Sequence, residues 1–333
     1  MPRSLRKNDG PAALADWIRT HDDIGVVCHV SPDGDTLGSA LALAEGLRRL
    51  GKNACTLCQD EVPAMYHFMS GALDVCTPES APFMIRSVLF SDVSDELRAG
   101  SCLMPEVRER ALIDHHATNP AFGDVNLIDG TAAATSVMVT ELMDRLRMPL
   151  TPTMAENLYV GITTDTFNFS FRSTDGRTLR AGAKCLDAGA DPDKVTRLMF
   201  RLRSVPRTRL LGAAVNQMEL LAGGRLALFK ISRLMLEEAG ATAAGATAAE
   251  CEGIVNYGVE CEGVQAAALL REQEGGVKAS LRSLGEVDVS RVALRHGGGG
   301  HAAAAGCTLR GGLDECAALI VPELIEELNG ATK

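Results

Sequence analysis

Ile24-Gly-Val-Val-Cys28, an apolar and β-branched run, is followed without a break by His29-Val-Ser-Pro32-Asp33-Gly34-Asp35. Such a run leading into a polar loop predicts a buried parallel strand whose carboxyl end carries the loop, at the edge where α/β sheets bind ligands. Pro32 and Gly34 bar a regular strand or helix through the loop, so one imidazole and two carboxylates are free to converge. From Thr36 to Leu50 the apolar residues Leu37, Ala40, Leu41, Ala44 and Leu47 recur at helical spacing and stop before Gly51. The local order is therefore strand, ligand loop, helix.

The same alternation extends outward. Ala54 to Leu57, Ser87 to Phe90 and Ala111 to Ile113 read as further strands, the last two leading to Asp92 and Asp114. Ala132 to Arg147 reads as a helix closed by Pro149, and Pro152 opens another that reaches a turn at Gly161-Ile-Thr-Thr-Asp165. Strands alternating with helices imply an α/β fold, a doubly wound parallel sheet, over residues 1–205. Residues 206–221 read as a connecting helix, and 222–333 as a second, smaller α/β domain across a cleft. Its signals are a strand from Arg225 to Ile231, a hairpin about Glu274-Gly275-Gly276 and an amphipathic closing helix from Leu313 to Leu328. Ala239 to Ala249 contains only alanine, glycine and threonine and reads as a mobile surface loop.

Composition narrows the function. A net charge of −10 over 333 residues argues against a protein that lies along duplex DNA by neutralising phosphates. With 4% aromatic residues, an extended base-stacking surface for long single strands is not expected. Ten scattered cysteines suit a reducing cytoplasm. Cys55 and Cys58 have the spacing of a zinc or redox knuckle, but no second pair accompanies them and the structural reading prevails. The first residues lack the apolar core of a signal peptide, and no stretch reaches membrane-spanning length, so a soluble cytoplasmic protein is expected.

Further acid and imidazole positions fall just past predicted strand ends: Asp92, the triplet Asp114-His115-His116, and Asp165. Parallel strands bring their carboxyl ends to one edge, where these residues would meet His29, Asp33 and Asp35. Crowded carboxylates repel one another unless cations offset them. Carboxylate and imidazole donors without thiolate suit Mn²⁺ or Mg²⁺, and the number of donors suffices for two ions roughly 3.5–4 Å apart. In the second domain, Arg295-His-Gly297-Gly298-Gly299-Gly300-His301 allows close backbone approach, with amides aimed at phosphate oxygens and His301 as a further donor. Arg282 adds a guanidinium suited to bidentate phosphate contact. His21, His67 and His296 lack such company.

Taken together, His29-x-x-x-Asp33-x-Asp35, Asp92-Val-Ser-Asp95 with Arg98, Asp114-His115-His116 with Asn119, Gly161-Ile-x-x-Asp165-Thr166 and Gly297 to His301 resemble the DHH phosphoesterases that carry a C-terminal DHH-associated domain. Among these, the small two-domain oligoribonuclease members are most similar, and the resemblance spans nearly the whole chain. It implies one metal held by His29, Asp33 and Asp92, and another by Asp35, Asp92, His115 and Asp165, with Asp92 bridging. It implies that His116 faces the phosphate with Asp114 orienting it, and that Arg282, Gly298, Gly299, Gly300 and His301 hold the substrate. Phe90-Ser91 departs from the aliphatic pair commoner before the bridging aspartate, without touching a ligand.

The resemblance thus implies a hydrolase with two divalent ions, Mn²⁺ before Mg²⁺, that degrades short oligoribonucleotides to mononucleotides and also takes 3′-phosphoadenosine-5′-phosphate (pAp). A homodimer is the candidate assembly. Rival readings are a phosphodiesterase for linear or cyclic dinucleotides, a RecJ-like single-strand exonuclease, for whose extra domains the chain has no room, and a pyrophosphatase. A nucleotide-sensing binding protein is the non-enzymatic rival, against which the full ligand set with a bridging aspartate speaks.

Overall fold

The computed structural model describes residues 8–241, 250–251, 253–285 and 287–331. Most of the alanine-rich stretch from Ala239, and the first seven residues, lie outside the described residues. Two compact units, Met1–Leu202 and Arg203–Lys333, divide the chain.

In the first unit, β1 (Ile24–Val27), β2 (Ala54–Leu57), β3 (Ser87–Ser91), β4 (Glu109–Asp114) and β5 (Val125–Ile128) form one sheet in the order β2-β1-β3-β4-β5. Every pairing is parallel, with Ile24 in register with both Ala54 and Ser87. The chain steps one way from β1 to β2 and the other way from β3 to β5, so the winding reverses between β1 and β3. Right-handed crossovers on the two sides of this reversal run over opposite faces and leave a crevice at the strands' carboxyl ends.

Alternate residues of each strand serve the two faces. Ile24, Val26, Leu89, Ala111 and Ile113 pack with helices α1 (Gly10–Thr20), α2 (Gly34–Arg49), α3 (Thr135–Arg145) and α4 (Pro152–Asp165). Val27, Leu57, Val88, Phe90 and Leu112 form the opposite core, covered by Ala99, Cys102, Met104 and Phe122 from 3₁₀ turns and irregular connections rather than long helices. Cys55 and Cys58 are buried, and Cys58 Sγ contacts the His29 carbonyl at 3.5 Å. Two further helices, α5 (Gly176–Asp187) and the short α6 (Pro192–Thr196), complete this unit.

α2 and α4 meet through glycine. Gly38 sits where a Cβ would lie 2.3 Å from the Asn157 carbonyl oxygen and 3.1 Å from Gly161 N, and a Cβ on Gly34 would lie 2.4 Å from Thr164 Oγ1. Gly34 opposite Thr164 and Gly38 opposite Asn157 and Gly161 describe an antiparallel pair. That pairing brings the carboxyl end of α4 to the amino end of α2.

In the second unit, β6 (Glu219–Leu221), β7 (Leu226–Ile231), β8 (Ala266–Gln273), β9 (Gly276–Ser283), β10 (Gly299–His301) and β11 (Ala304–Leu309) form a mixed sheet ordered β10-β11-β9-β8-β7-β6. Only β7 and β8 pair in parallel. One face packs on α10 (Val289–Arg295) and α11 (Leu313–Gly330), the other on α7 (Val205–Asn216), α8 (Arg233–Ala239) and α9 (Asn256–Val259). Leu210 and Ala214 of α7 are fully buried in that second core. No helix among the described residues is long and apolar enough to cross a membrane.

Candidate metal centre

The loop after β1 folds back on itself because Asp33 caps α2, its Oδ1 accepting from the amides of Asp35 at 3.0 Å and Thr36 at 3.1 Å. Thr36 Oγ1 donates to the Ser91 carbonyl at 2.9 Å and accepts from His29 N at 3.1 Å, tying the β1 and β3 loops across the winding reversal. The free oxygen of Asp33, Oδ2, then faces His29 Nε2 at 3.4 Å. Nδ1 of His29 lies 2.8 Å from the Val30 carbonyl oxygen, with the Arg98 guanidinium 2.9 Å away. The tautomer that donates from Nδ1 to that carbonyl directs the Nε2 lone pair at the carboxylates, whereas accepting from Arg98 at Nδ1 puts the proton on Nε2.

Asp92 stands at the end of β3 with φ of +62°, a left-handed conformation unusual for aspartate, and is almost wholly buried. Its two oxygens face opposite ways: Oδ2 lies 3.7 Å from His29 Nε2, and Oδ1 lies 3.5 Å from His115 Nε2. Thr135 Oγ1 donates to Oδ1 at 2.9 Å. Beyond His115 Nε2, at 3.3 Å, lies Asp165 Oδ2. Asp35, fully buried in the first turn of α2, accepts from the Thr135 amide at 2.6 Å and the Ser136 amide at 2.9 Å, so its carboxylate sits on the amino end of α3. Donor atoms of His29, Asp33 and Asp92 lie within 4.8 Å of one another, as do those of Asp35, His115 and Asp165, and those of Asp92, His115 and His116.

One correction concerns Asp165, expected past a strand end. It is the last residue of α4, a helix that Thr151 caps and Pro152 starts, and that runs unbroken through Gly161. Gly161 serves close contact rather than a turn, since a Cβ there would stand 2.0 Å from Ser136 Oγ and 2.7 Å from Asp35 Oδ1.

The electrostatics test whether these residues suit cations. Burial pushes the Asp92 carboxyl well above the ordinary range, and the carboxylates of Asp35, Asp33, Asp165 and Asp114 push it the same way. Burial and then Asp35 and Asp33 raise Asp165 to about 9, and burial also raises Asp35. This pocket holds more negative charge than the protein alone can offset, and its donors are carboxylates and imidazoles with no cysteine among them. That set fits a hard divalent cation.

Asp114 is fully buried and spends its oxygens on His116 Nδ1 at 2.8 Å and Asn119 Nδ2 at 2.6 Å. The hydrogen bond to Asp114 raises the His116 pKa above its usual value. In the second unit, Arg282 of β9, Ala304 of β11 and His301 of β10 share one row of the sheet, so their side chains leave the same face. Gly299 to His301 is an edge strand rather than a loop. A Cβ on Gly298 would lie 2.2 Å from the Gly306 carbonyl oxygen and one on Gly300 2.4 Å from that of Ala304, so both glycines are required by the hairpin itself. His21 contacts Trp17 and Glu109, His67 the Val62 carbonyl and His296 Glu323. Sequence reasoning missed Thr36 and Thr135. Their signal was a threonine in the first turn of a helix that follows a ligand loop.

Clustered acids and imidazoles at the reversal point of a doubly wound sheet define a metal-dependent hydrolase of phosphoesters. Residues 23–162 match the N-terminal domain of the DHH family, and residues 233–331 match the DHHA1 domain. The bifunctional oligoribonuclease and PAP phosphatase NrnA of Thermus thermophilus is 35% identical over 311 residues, 92% of this chain and 91% of that protein. Its namesake in Bacillus subtilis is 26% identical over 88% of this chain and 91% of that one. A solved structure described as an exopolyphosphatase-related protein from Bacteroides fragilis shares the fold at a TM-score of 0.85, with 24% identity and 97% of each chain covered. The chain belongs to the DHH family.

Proposed function

We propose that the chain hydrolyses short oligoribonucleotides to mononucleotides and dephosphorylates pAp. In this reading two divalent cations, Mn²⁺ in preference to Mg²⁺, bind one to His29, Asp33 and Asp92 and the other to Asp35, Asp92, His115 and Asp165. The observation that carries it is Asp92, whose two oxygens face the two clusters separately. The names of the Thermus and Bacillus relatives support the substrate class.

Cations held by these residues would supply a lowered pKa for a water nucleophile and charge to offset the phosphoryl group. The protein's own groups do the remaining work. The α3 amides fix Asp35, Thr135 fixes Asp92, and Asp114 fixes the His116 ring while favouring its protonated form. His116 then offers the phosphate a charged hydrogen bond or the leaving 3′ oxygen a proton. In this reading Arg282, His301 and the backbone of Gly298, Gly299 and Gly300 hold the anionic substrate, the Gly298 amide itself being already donated to the Ala293 carbonyl at 2.9 Å. The scattered cysteines of the sequence support a reducing cytoplasm as its compartment.

The test is a comparison of kcat/KM with Mn²⁺ across di- to pentaribonucleotides, pApA and pAp. Preference for the shortest RNAs supports the reading, and turnover no faster than in EDTA overturns it.

A further inference from the structure

The turn after Asp165 is built in an unusual way. Phe167, Asn168 and Phe169 have φ of +46°, +54° and +63°, three successive non-glycine residues in the left-handed region. Single residues visit that region at a cost and runs of them are rare, because Cβ meets the following carbonyl oxygen. Backbone bonds hold the turn, with Asn168 N donating to the Thr163 carbonyl at 2.7 Å and Ser170 N to that of Thr166 at 2.8 Å. Its result is to separate the aromatic rings. Phe169 goes inward against Tyr159 at 5.9 Å between centroids, whereas Phe167 and Phe171 stay 55% and 53% exposed.

Those two outer rings stack on each other at 5.5 Å and 16° between planes. Phe200, from a π-helical turn at Arg197–Arg201, meets Phe167 edge-on at 5.7 Å and 86°. π-helical turns concentrate at functional sites. Of the nine phenylalanines in this aromatic-poor chain, three belong to this cluster. Single exposed apolar residues need no explanation, but a stacked pair held outward by a strained turn two residues from Asp165 does. Arg172 follows Phe171 in sequence and Arg197 and Arg201 bound the turn that carries Phe200, all three exposed on a chain of net negative charge.

We propose that Phe167 and Phe171 are a stacking platform for the nucleobase of the nucleotide whose phosphate reaches the Asp92 and Asp165 cluster. Bare phenyl faces offer no hydrogen bonds to base edges, so this platform accepts any base and favours purines by area. The inference rests on the oligonucleotide reading above and adds the group that recognises the base.

Stacking of one base corresponds to about a 5- to 150-fold effect on affinity. The full chain with Mn²⁺, as wild type and as Phe167→Ala, is assayed on pApA and on matched dinucleotides with an abasic ribose at either position. The expected result is a KM raised about 10-fold on pApA with kcat within about threefold, and a gap between variant and wild type that closes on one abasic substrate. Phe167→Trp should restore the KM. Phe167→Asn should relieve the backbone and raise Tm while KM stays high, the reverse of what a structural role requires. An unchanged KM, or an equal rise on both abasic substrates, overturns the platform.

Calorimetric binding of AMP against ribose 5-phosphate, both with Mn²⁺, separates this inference from the function it rests on. Wild type should prefer AMP at least 10-fold and Phe167→Ala should lose the preference, whether or not any oligonucleotide turns over. No preference in wild type overturns the platform.

Discussion

Gly38→Ala isolates the contact that brings Asp165 into the centre. The added methyl would lie 2.3 Å from the Asn157 carbonyl oxygen, about 1 Å inside ordinary contact, and a backbone oxygen cannot rotate away. α2 and α4 must therefore separate by about 1 Å. Overpacking of this kind costs ~1–3 kcal/mol, while alanine in place of a helical glycine returns ~0.5–1 kcal/mol. The net loss is ~0–2.5 kcal/mol, a fall in Tm of a few degrees for a unit this size. Activity should suffer far more, because Asp35 on α2 and Asp165 on α4 share one cluster and a 1 Å misplacement can cost about 100-fold in rate. The assay pairs thermal melts with kcat/KM on a dinucleotide in Mn²⁺, with Gly212→Ala as control, since a methyl there meets nothing within 4 Å and should slightly stabilise the protein without loss of rate. A folded Gly38→Ala protein that keeps more than about a third of wild-type kcat/KM would refute the argument.

Asp92→Asn should lower kcat by about 1,000-fold or more while raising Tm in EDTA, because it removes a buried carboxyl crowded by four others at a φ that asparagine tolerates. A fall in Tm under those conditions would contradict this account of the pocket. pH should act on the metal-free protein in one direction. Asp165 at about 9, against roughly 3.9 unfolded, keeps a proton in the folded state that the unfolded chain releases. That stability is present below about pH 4 and is lost as pH rises through about 9. Melts in EDTA should thus fall between about pH 6 and 9, and the gain in Tm from Mn²⁺ should grow over the same range. A flat profile would count against it. Arg282→Ala and His301→Ala should each raise KM about 10-fold with kcat largely kept, and a fall in kcat alone would remove them from substrate binding.

Local pattern carried much of the first unit. Strand-like runs of three to five residues, each ending near an acid or imidazole, marked β1, β3 and β4, and the sheet places those ends at one edge. The first helix went unread although Pro11 and the spacing of Leu14, Ala15, Trp17 and Ile18 signal it, and β5 is only four residues long. Gly161 was misread for a physical reason. A glycine followed by polar residues looks like a turn, and its use as a contact surface becomes visible only when Ser136 and Asp35 stand beside it.

By itself, then, the sequence established which side chains could carry chemistry and which strand ends would present them, since burial period and turn residues are properties of neighbours along the chain. The tertiary structure alone decided that Asp165 arrives on a helix, that α3 amides hold Asp35, that Asp92 turns one oxygen to each cluster, and that the glycine run is an edge strand. Each of those depends on distances between segments remote in sequence, set by packing across the sheet, which no local pattern encodes.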